Sequence, residues 1–290
     1  MNQEAKALGM QQTNFQNPAG ITMPEHYSTA ADLAKLSQAL VNETPNYLFY
    51  SKQQSFSYNQ RFHRATNLLL KIDPTVDGLK TGFTRAAGYN LAATAIRPSM
   101  DMSLSNRRLI VVVMGSKSAV KRAEVAHKLM NLAYTYTRNE VALKDKQVLA
   151  ELPVVQSTLK MFKVATKKPE LITTSLYDQS YSIDLNQFDQ STQRVMLDTG
   201  NGTLQSIEPL RETQTHLNIE VNETQLTAPL AKVMQLATVN VYQNNQLIRT
   251  ILIEDQVDIE EANFFEKFLQ WLFGLFSSTN ADVILYPIGK

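Results

Sequence analysis

Six consecutive residues, Asp77-Gly78-Leu79-Lys80-Thr81-Gly82, bring together an ammonium group, a hydroxyl and a position without a side chain. Side chains of an extended backbone alternate, so Lys80 and Gly82 point to one face of a strand and Thr81 to the other. Gly82 leaves room for a ligand or another backbone, and Lys80 and Thr81 can donate hydrogen bonds to an anion. The stretch therefore predicts an anion-binding strand edge, although a Lys-Thr-Gly tripeptide alone more often marks a strand-to-turn transition.

Strand and helix patterns alternate around this stretch. Residues 76–80 predict a strand that leads into it, and residues 89–96 predict the returning strand. Residues 109–114 form a β-branched run that is typical of a central strand covered on both faces. Residues 118–136 then predict a long amphipathic helix. Three hairpin-connected strands with a helix packed on them predict an α+β fold.

The first fifty residues predict two helices. The first ends at Gly9, a typical residue after a helix C-terminus. The second begins with Ser28 as its N-cap and is ended by Pro45. Because the first pattern is already under way at residue 1, we expect that further sequence once preceded it.

The character of the sequence changes near residue 145. Residues 148–254 contain short alternating segments and turn residues, with a hairpin predicted at Asn244-Asn245. The predicted division is a first domain at 1–145, a β-rich domain at 146–257, an amphipathic helix at 258–278, and a tail at 279–290 without a predicted role.

Composition excludes several classes of function. The chain has 290 residues, 43% of them apolar, and a net charge of +1, which argues against nucleic-acid binding. Zero cysteines exclude disulfide scaffolds, thiolate zinc sites and cysteine nucleophiles. Four scattered histidines and the lack of a phosphate-binding glycine loop predict no metal and no cofactor. The N-terminal residues carry no apolar signal-peptide core.

An aromatic segment at residues 263–276 stands apart from the rest of the chain. At 1.5 Å per residue it covers only about 20 Å, too short to span a bilayer. Large aromatic side chains opposite a narrow polar stripe favour a helix on the surface of a membrane, the alternative being a helix docked on a protein core. The predicted membrane-facing residues are Phe264, Phe265, Phe268, Leu269, Trp271, Leu272, Phe273, Leu275 and Phe276.

Further motifs occur along the chain in the order of a known family. They are Ala7-Leu8-Gly9-Met10, Thr13-Asn14-Phe15, Asn17-Pro18-Ala19-Gly20-Ile21, His26-Tyr27-Ser28-Thr29-Ala30 with Asp32-Leu33-Ala34, the Lys-Thr-Gly stretch continued by Phe83-Thr84, and Ala87-Gly88-Tyr89-Asn90-Leu91. In this order they resemble the low-molecular-mass penicillin-binding proteins, which are serine D-alanyl-D-alanine carboxypeptidases. The resemblance covers residues 1–276. It implies the distal part of a serine β-lactamase-like transpeptidase domain, then a small all-β domain and a C-terminal amphipathic helix.

The resemblance also implies a chemistry and a place in the cell. A serine attacks the bond between the two terminal D-alanines of a peptidoglycan stem peptide, and water then clears the acyl group. Lys80 and Thr81 would hold the terminal carboxylate beside Gly82, and the N–H of Phe83 would complete the oxyanion hole. Arg122 would help with the carboxylate, the alternative being a solvated helix charge. β-Lactams would bind the complete protein, at the periplasmic face of the inner membrane.

One departure from the family pattern concerns the nucleophile. The family's Ser-x-x-Lys and Ser-x-Asn precede all the motifs seen here, so we expect an N-terminally truncated chain that lacks them. Ser118-Ala119-Val120-Lys121, Ser157-Thr158-Leu159-Lys160 and Ser57-Tyr58-Asn59 match by spelling only. The alternative function is a catalytically inactive fragment on a membrane surface or a cell-wall-binding module.

Overall fold

The computed structural model describes residues 1–99, 106–177, 184–198, 203–210, 214–274 and 282–287. The helices are α1 Asn2–Ala7, α2 Ala30–Glu43, α3 Tyr47–Ser51, α4 Leu69–Ile72, α5 Ala119–Tyr136 and α6 Phe264–Gly274. The strands are β1 Ser55–Tyr58, β2 Arg61–Arg64, β3 Val76–Thr84, β4 Gly88–Arg97, β5 Arg107–Ser116, β6 Thr137–Leu143, β7 Val148–Val155, β8 Met161–Ala165, β9 Glu170–Ser175, β10 Phe188–Asp189, β11 Arg194–Asp198, β12 Leu204–Ile207, β13 Thr215–Val221, β14 Leu226–Thr227, β15 Leu230–Gln243, β16 Gln246–Ile259 and β17 Ile284–Leu285.

The chain divides into two compact units, each built from two segments of sequence. The first unit is Met1–Arg138 with Ser175–Arg211, and the second is Asn139–Thr174 with Glu212–Lys290. The predicted boundary at residue 145 differs from this division, because residues 175–211 group with the first unit. Tyr136 explains the grouping: its hydroxyl donates to the carbonyl oxygen of Ile207 (2.6 Å) and accepts from the N–H of Val195 (2.8 Å).

An antiparallel sheet in the order β3-β4-β5 is the centre of the first unit. The prediction that β5 is a central strand was wrong for the described residues. β4 lies in the middle of this sheet, and along β5 Val111 and Val113 are buried while Met114 is exposed. A run of β-branched residues reports strand propensity, whereas the position in the sheet is decided by tertiary pairing.

Helix α5 supplies the core on one side of this sheet. Ala123, Ala126 and Met130 pack with Leu91, Ala93, Val111 and other buried residues of the three strands. Ser118 caps the helix, its hydroxyl accepting the N–H of Lys121 at 3.0 Å. For α2 the structure corrects the predicted cap by one residue: Thr29 accepts the N–H of Asp32, while the Ser28 hydroxyl bonds that of Thr13 at 2.8 Å.

The Asp-Gly pair before the Lys-Thr-Gly sequence holds the start of β3 in place. Asp77 receives two hydrogen bonds from the guanidinium of Arg108, at 2.7 and 2.8 Å, which link β3 to β5. A side chain at Gly78 would lie 2.7 Å from the hydroxyl of Ser51, so a larger residue would require that hydroxyl to move from its hydrogen bond with the carbonyl oxygen of Asp77. With the buried Leu79, the motif therefore contains three structural residues before the exposed Lys80.

A polar network around Asp73 joins the end of α4 to β4 and α5. Its carboxylate accepts hydrogen bonds from the Thr75 hydroxyl (2.6 Å) and from Arg97 (2.6 Å), and Arg97 also donates to Asn131 (2.8 Å). Burial disfavours the charged form of Asp73, but these hydrogen bonds outweigh it and lower the pKa of the carboxyl. The network therefore stabilises the ionised form in the folded chain.

We expect Asp73→Asn to make the stability of the protein less dependent on pH in acid. Because the folded-state pKa is lowered, the contribution of Asp73 is present above the unfolded-state pKa of about 3.9 and is lost as the pH falls through the folded-state value. Urea unfolding, followed by the near-ultraviolet circular dichroism of the tyrosines, measures this from neutral pH downward. Glu43→Gln, at an exposed carboxyl, is the control. Equal acid slopes for the parent and Asp73→Asn would contradict the assignment.

The second unit consists mostly of strands. β13-β15-β16 form one sheet, and β7 pairs with β8, β14 and β17 in another. Asn244 and Asn245 both have positive φ, at 50° and 63°, as the predicted hairpin turn between β15 and β16 requires. Buried side chains from both sheets, including Leu152, Leu236 and Val257, form a single apolar core.

Helix α6 follows this unit and begins with a reciprocal cap. The side chain of Asn263 accepts the N–H of Glu266 (2.9 Å), and that of Glu266 accepts the N–H of Asn263 (2.8 Å). The predicted segment extends beyond α6, and Leu275 and Phe276 lie outside the described residues. No helix in the described ranges has the length and apolar character to cross a membrane. The tail returns as β17, which pairs with β7 at Glu151 and Ala150.

Candidate functional site

The edge of β3 that carries Lys80, Thr81 and Gly82 is open in the described part of the chain. β3 pairs with β4 alone, Lys80 and Gly82 are exposed, and the Lys80 ammonium lies against the carbonyl oxygen of Thr81. A side chain built at Gly82 would meet no atom within 4 Å. A free strand edge offers unpaired backbone donors and acceptors to an extended peptide. The edge is therefore accessible to a ligand, and its role in anion binding stays a prediction.

A short chain of hydrogen bonds runs inward from Thr81 to α5. The hydroxyls of Thr81 and Thr66 are 2.7 Å apart, and the carbonyl oxygen of Thr66 accepts from the guanidinium of Arg122 at 2.8 Å. A second nitrogen of Arg122 donates to the carbonyl oxygen of Asn90 at 3.0 Å, and Asn90 pairs with Gly82 across the sheet. Arg122 therefore supports both the strand beside the edge and the loop before α4.

The environment of Arg122 overturns one alternative for this residue. It is 3% exposed, so it is not a solvated helix charge. Burial lowers its pKa, although an arginine stays charged in a protein. Its Nε has no hydrogen-bond partner among the described residues, and the guanidinium lies 5.8 Å from the centre of the Tyr89 ring. Arg122 is linked to Thr81 only indirectly, through its hydrogen bond to Thr66 and that of Thr66 to Thr81.

Thr66 is the residue that sequence reasoning missed. It lies in the loop between β2 and α4, outside the family motifs, and nothing in its spacing from Thr81 predicts contact. Asn67, its neighbour, gives a reason for its position: this buried side chain donates to the carbonyl oxygen of Gly78 (3.2 Å) and accepts the N–H of Leu69 (3.1 Å). The loop is thereby fastened to β3.

Phe83 follows Gly82 at the outer end of the site. Its side chain is 55% exposed, and its ring lies 4.3 Å from that of Tyr89, the residue opposite on β4. The oxyanion role expected for its N–H stays a prediction.

The two spelled Ser-x-x-Lys sequences have structural partners of their own. Ser118 is the α5 cap, and the Lys121 ammonium pairs with Glu124 at 3.3 Å on an exposed surface. Ser157 belongs to the second unit, where its hydroxyl accepts the N–H of Leu159 at 3.2 Å. That these two matches arise by chance stays a prediction.

A helix-backed antiparallel sheet with an open Lys-Thr-Gly edge strand is the arrangement expected from the resemblance to the class of penicillin-binding proteins. Comparison with known proteins points to the same class. Residues 1–118 match the family described as D-alanyl-D-alanine carboxypeptidase.

Individual relatives extend the similarity beyond residue 118. The chain is 28% identical over 286 residues to the D-alanyl-D-alanine carboxypeptidase DacC of Escherichia coli K12, covering 96% of this chain and 62% of the relative. It is 32% identical over 181 residues to DacF of Bacillus subtilis 168, covering 60% and 44%. The crystal structure of penicillin binding protein 5 from Haemophilus influenzae shares the fold, with a TM-score of 0.66 at 24% identity, over 90% of this chain and 64% of that one.

The chain is thus similar to D-alanyl-D-alanine carboxypeptidases, and its residues 1–118 match that family. It spans less than two thirds of the length of these relatives.

Proposed function

We propose that this chain carries the carboxylate-binding strand of a D-alanyl-D-alanine carboxypeptidase that acts on peptidoglycan stem peptides through an acyl-enzyme. The observation that carries the proposal is the open β3 edge with an exposed lysine and a vacant position at Gly82. The names of the relatives support the reaction. The first unit would be the distal part of the transpeptidase domain, and the second its β-rich companion.

In this proposal the terminal D-alanine lies along β3. Lys80 supplies the charge that attracts the carboxylate, and the Thr81 hydroxyl donates a hydrogen bond to it. Gly82 leaves space for the peptide backbone, and the N–H of Phe83 faces the scissile carbonyl. A β-lactam carboxylate would occupy the same place. In this proposal the nucleophile is the serine of the family's Ser-x-x-Lys motif. Neither Ser118 nor Ser157 is assigned that role.

The test is a nuclear magnetic resonance titration of the ¹⁵N-labelled chain with diacetyl-L-lysyl-D-alanyl-D-alanine. We expect the largest shifts at the amides of Lys80, Thr81, Gly82 and Phe83. The same peptide with a C-terminal amide is the matched control, because it keeps the shape and lacks the charge. Shifts of equal size for both peptides, or none at β3, would reject the carboxylate site.

Thr66 should position the hydroxyl of Thr81. A hydroxyl has one proton, so Thr81 can donate to a carboxylate while Thr66 donates to Thr81. We expect Thr66→Val to weaken peptide binding by about fivefold to tenfold, the loss of one neutral hydrogen bond, and Thr66→Ser to restore it. Weakening by Thr66→Ser as large as that by Thr66→Val would contradict this role.

We further infer that α6 binds the surface of a membrane, which in this family would be the periplasmic face of the inner membrane. The supporting observation is a stripe of exposed aromatic side chains at helical spacing: Phe264 (87% exposed), Phe265, Phe268 and Trp271. Leu269 and Leu272 are partly buried. Glu266 and Lys267 balance in charge, so apolar area rather than lipid charge would drive binding.

Phe268→Glu combined with Trp271→Glu should release the full chain from vesicles of mixed neutral and anionic phospholipid. Each change removes a ring from the apolar stripe and adds a charge that resists burial, so we expect membrane partitioning to fall by more than about tenfold. Co-sedimentation at low and high salt is the measurement. Val233→Glu with Leu252→Glu, at exposed positions on β15 and β16, is the control. Unchanged pelleting of the α6 variant at both salt concentrations would refute the membrane role.

A further inference from the structure

A groove in the second unit runs along the edges of two strands. Its volume is about 940 Å³, at the upper end of the usual range for ligand sites. Residues 215–219 of β13 and residues 140–142 of β6 all line it. Because side chains of a strand alternate between faces, a cavity that contacts consecutive residues must follow the strand's edge.

Both edges are open in the described ranges of the chain. β13 pairs with β15 on one side, and β6 pairs with β9 on one side. Unpaired strand edges present rows of N–H and C=O groups that recruit another strand. The groove thus offers directional backbone hydrogen bonding along both walls, which a flat apolar surface does not.

The side chains of the groove divide into an apolar floor and a polar rim. Ile172 and Val241 are buried in the core beneath it, and Leu217 and Ile219 pack against the same core. His216 and Asn218 alternate with these leucine and isoleucine positions and are exposed. An occupant that fits this pattern has apolar residues facing inward and polar residues facing outward, which is the pattern of an extended strand.

The protein's own tail shows that a strand can be added beside this groove. β17 pairs with β7 through Ile284 and Leu285, and the N–H of Tyr286 donates to the carbonyl oxygen of Leu149 at 3.0 Å. Leu285, Tyr286 and Pro287 then line the groove. The groove is therefore continuous with a place where an extended segment already docks by backbone pairing.

We propose that this groove binds an extended peptide segment of a partner protein, with alternating apolar and polar residues, by adding it as a strand to the edge of β13. The rim carries both Glu140 and Lys144, so backbone bonds and the apolar floor, rather than net charge, select the segment. This site lies within the second unit and does not depend on the carboxypeptidase proposal.

The experiment uses the full chain and a synthetic peptide of alternating threonine and valine with lysine at both ends. We expect amide shifts and slowed hydrogen exchange in β13 and β6. The same peptide, N-methylated at its central residues, should bind at least about tenfold more weakly, because methylation removes backbone donors and keeps the side chains. Equal binding of the two peptides, shifts away from the groove, or no binding at millimolar peptide would overturn the proposal.

A pair of matched variants completes the test. Val141 lines the groove and is 41% exposed, so Val141→Glu places a charge there without disturbing the core, and peptide affinity should fall at least about tenfold. Val233→Glu, at a position that is 65% exposed and outside the groove, should bind like the parent. If sedimentation shows a dimer that Val141→Glu dissociates, the occupant is a second copy and the partner-peptide proposal fails.

Discussion

Lys80→Ala should lower the affinity of the chain for a peptide ending in D-alanyl-D-alanine by about tenfold to a hundredfold. The reason is the loss of one charge-assisted hydrogen bond, worth about 1.5–3 kcal/mol. Lys80 is exposed, and among the described residues its ammonium bonds only the carbonyl oxygen of Thr81. Its removal therefore leaves no buried partner and should not alter the fold. The effect is therefore expected in binding and not in stability.

Two further lysine variants make this measurement specific. Lys71→Ala, at an exposed position on α4, removes the same charge from the same unit and should leave affinity unchanged. Lys80→Arg keeps the charge but replaces a compact ammonium by a planar group, and it should bind more weakly than the parent. The titration with the stem-peptide analogue measures all three. A Lys80→Ala affinity within about twofold of the parent would mean that Lys80 is an ordinary strand residue.

Met130→Ala and Leu236→Ala should each destabilise the protein by about 2–5 kcal/mol, the cost of emptying a well-packed core position. Both side chains are fully buried, Met130 under the β3-β4-β5 sheet and Leu236 in the core of the second unit. Because the two cores share no residues, Met130→Ala should lower hydrogen-exchange protection in β4, and Leu236→Ala should lower it in β15.

Native-state hydrogen exchange of the two variants measures this directly. Met130→Leu conserves volume and should cost less than about 1.5 kcal/mol. If either alanine variant reduced protection equally in both strands, the two cores would have to be treated as one cooperative unit.

Local sequence patterns predict the elements of this protein well where a single chemical rule decides them. Gly9 ends α1 with φ +71°, Pro45 follows the end of α2, and Asn244-Asn245 supplies a turn with positive φ. Ser118 caps α5 as its residue type predicts. In each case the deciding interactions lie within a few residues of sequence.

The failures concern interactions between residues that are distant in sequence. Ser28 and Thr29 are equally good caps, and the hydrogen bond of Ser28 to Thr13 leaves the cap to Thr29. The run of valines in β5 predicts a strand, but it does not predict which strands will pair beside it in the sheet. At the candidate site, Lys80, Thr81 and Gly82 are recognisable as a motif, but Thr66 enters only through tertiary contacts with Thr81 and Arg122.

The first unit is built from two separate segments of sequence, so part of it is synthesised only after residues 139–174 of the second unit. Residues 139–174 of the second unit emerge from the ribosome before residues 175–211. During synthesis Tyr136 therefore cannot pack until Phe188 and Val195, its buried partners, have been added to the chain. The two segments of the first unit lie close together on either side of residues 139–174, because the N–H of Leu176 donates to the carbonyl oxygen of Tyr136 at 2.7 Å. A recombinant first unit consequently needs a short linker in place of residues 139–174, whereas a stop codon after residue 138 would leave the Tyr136 ring without its cover.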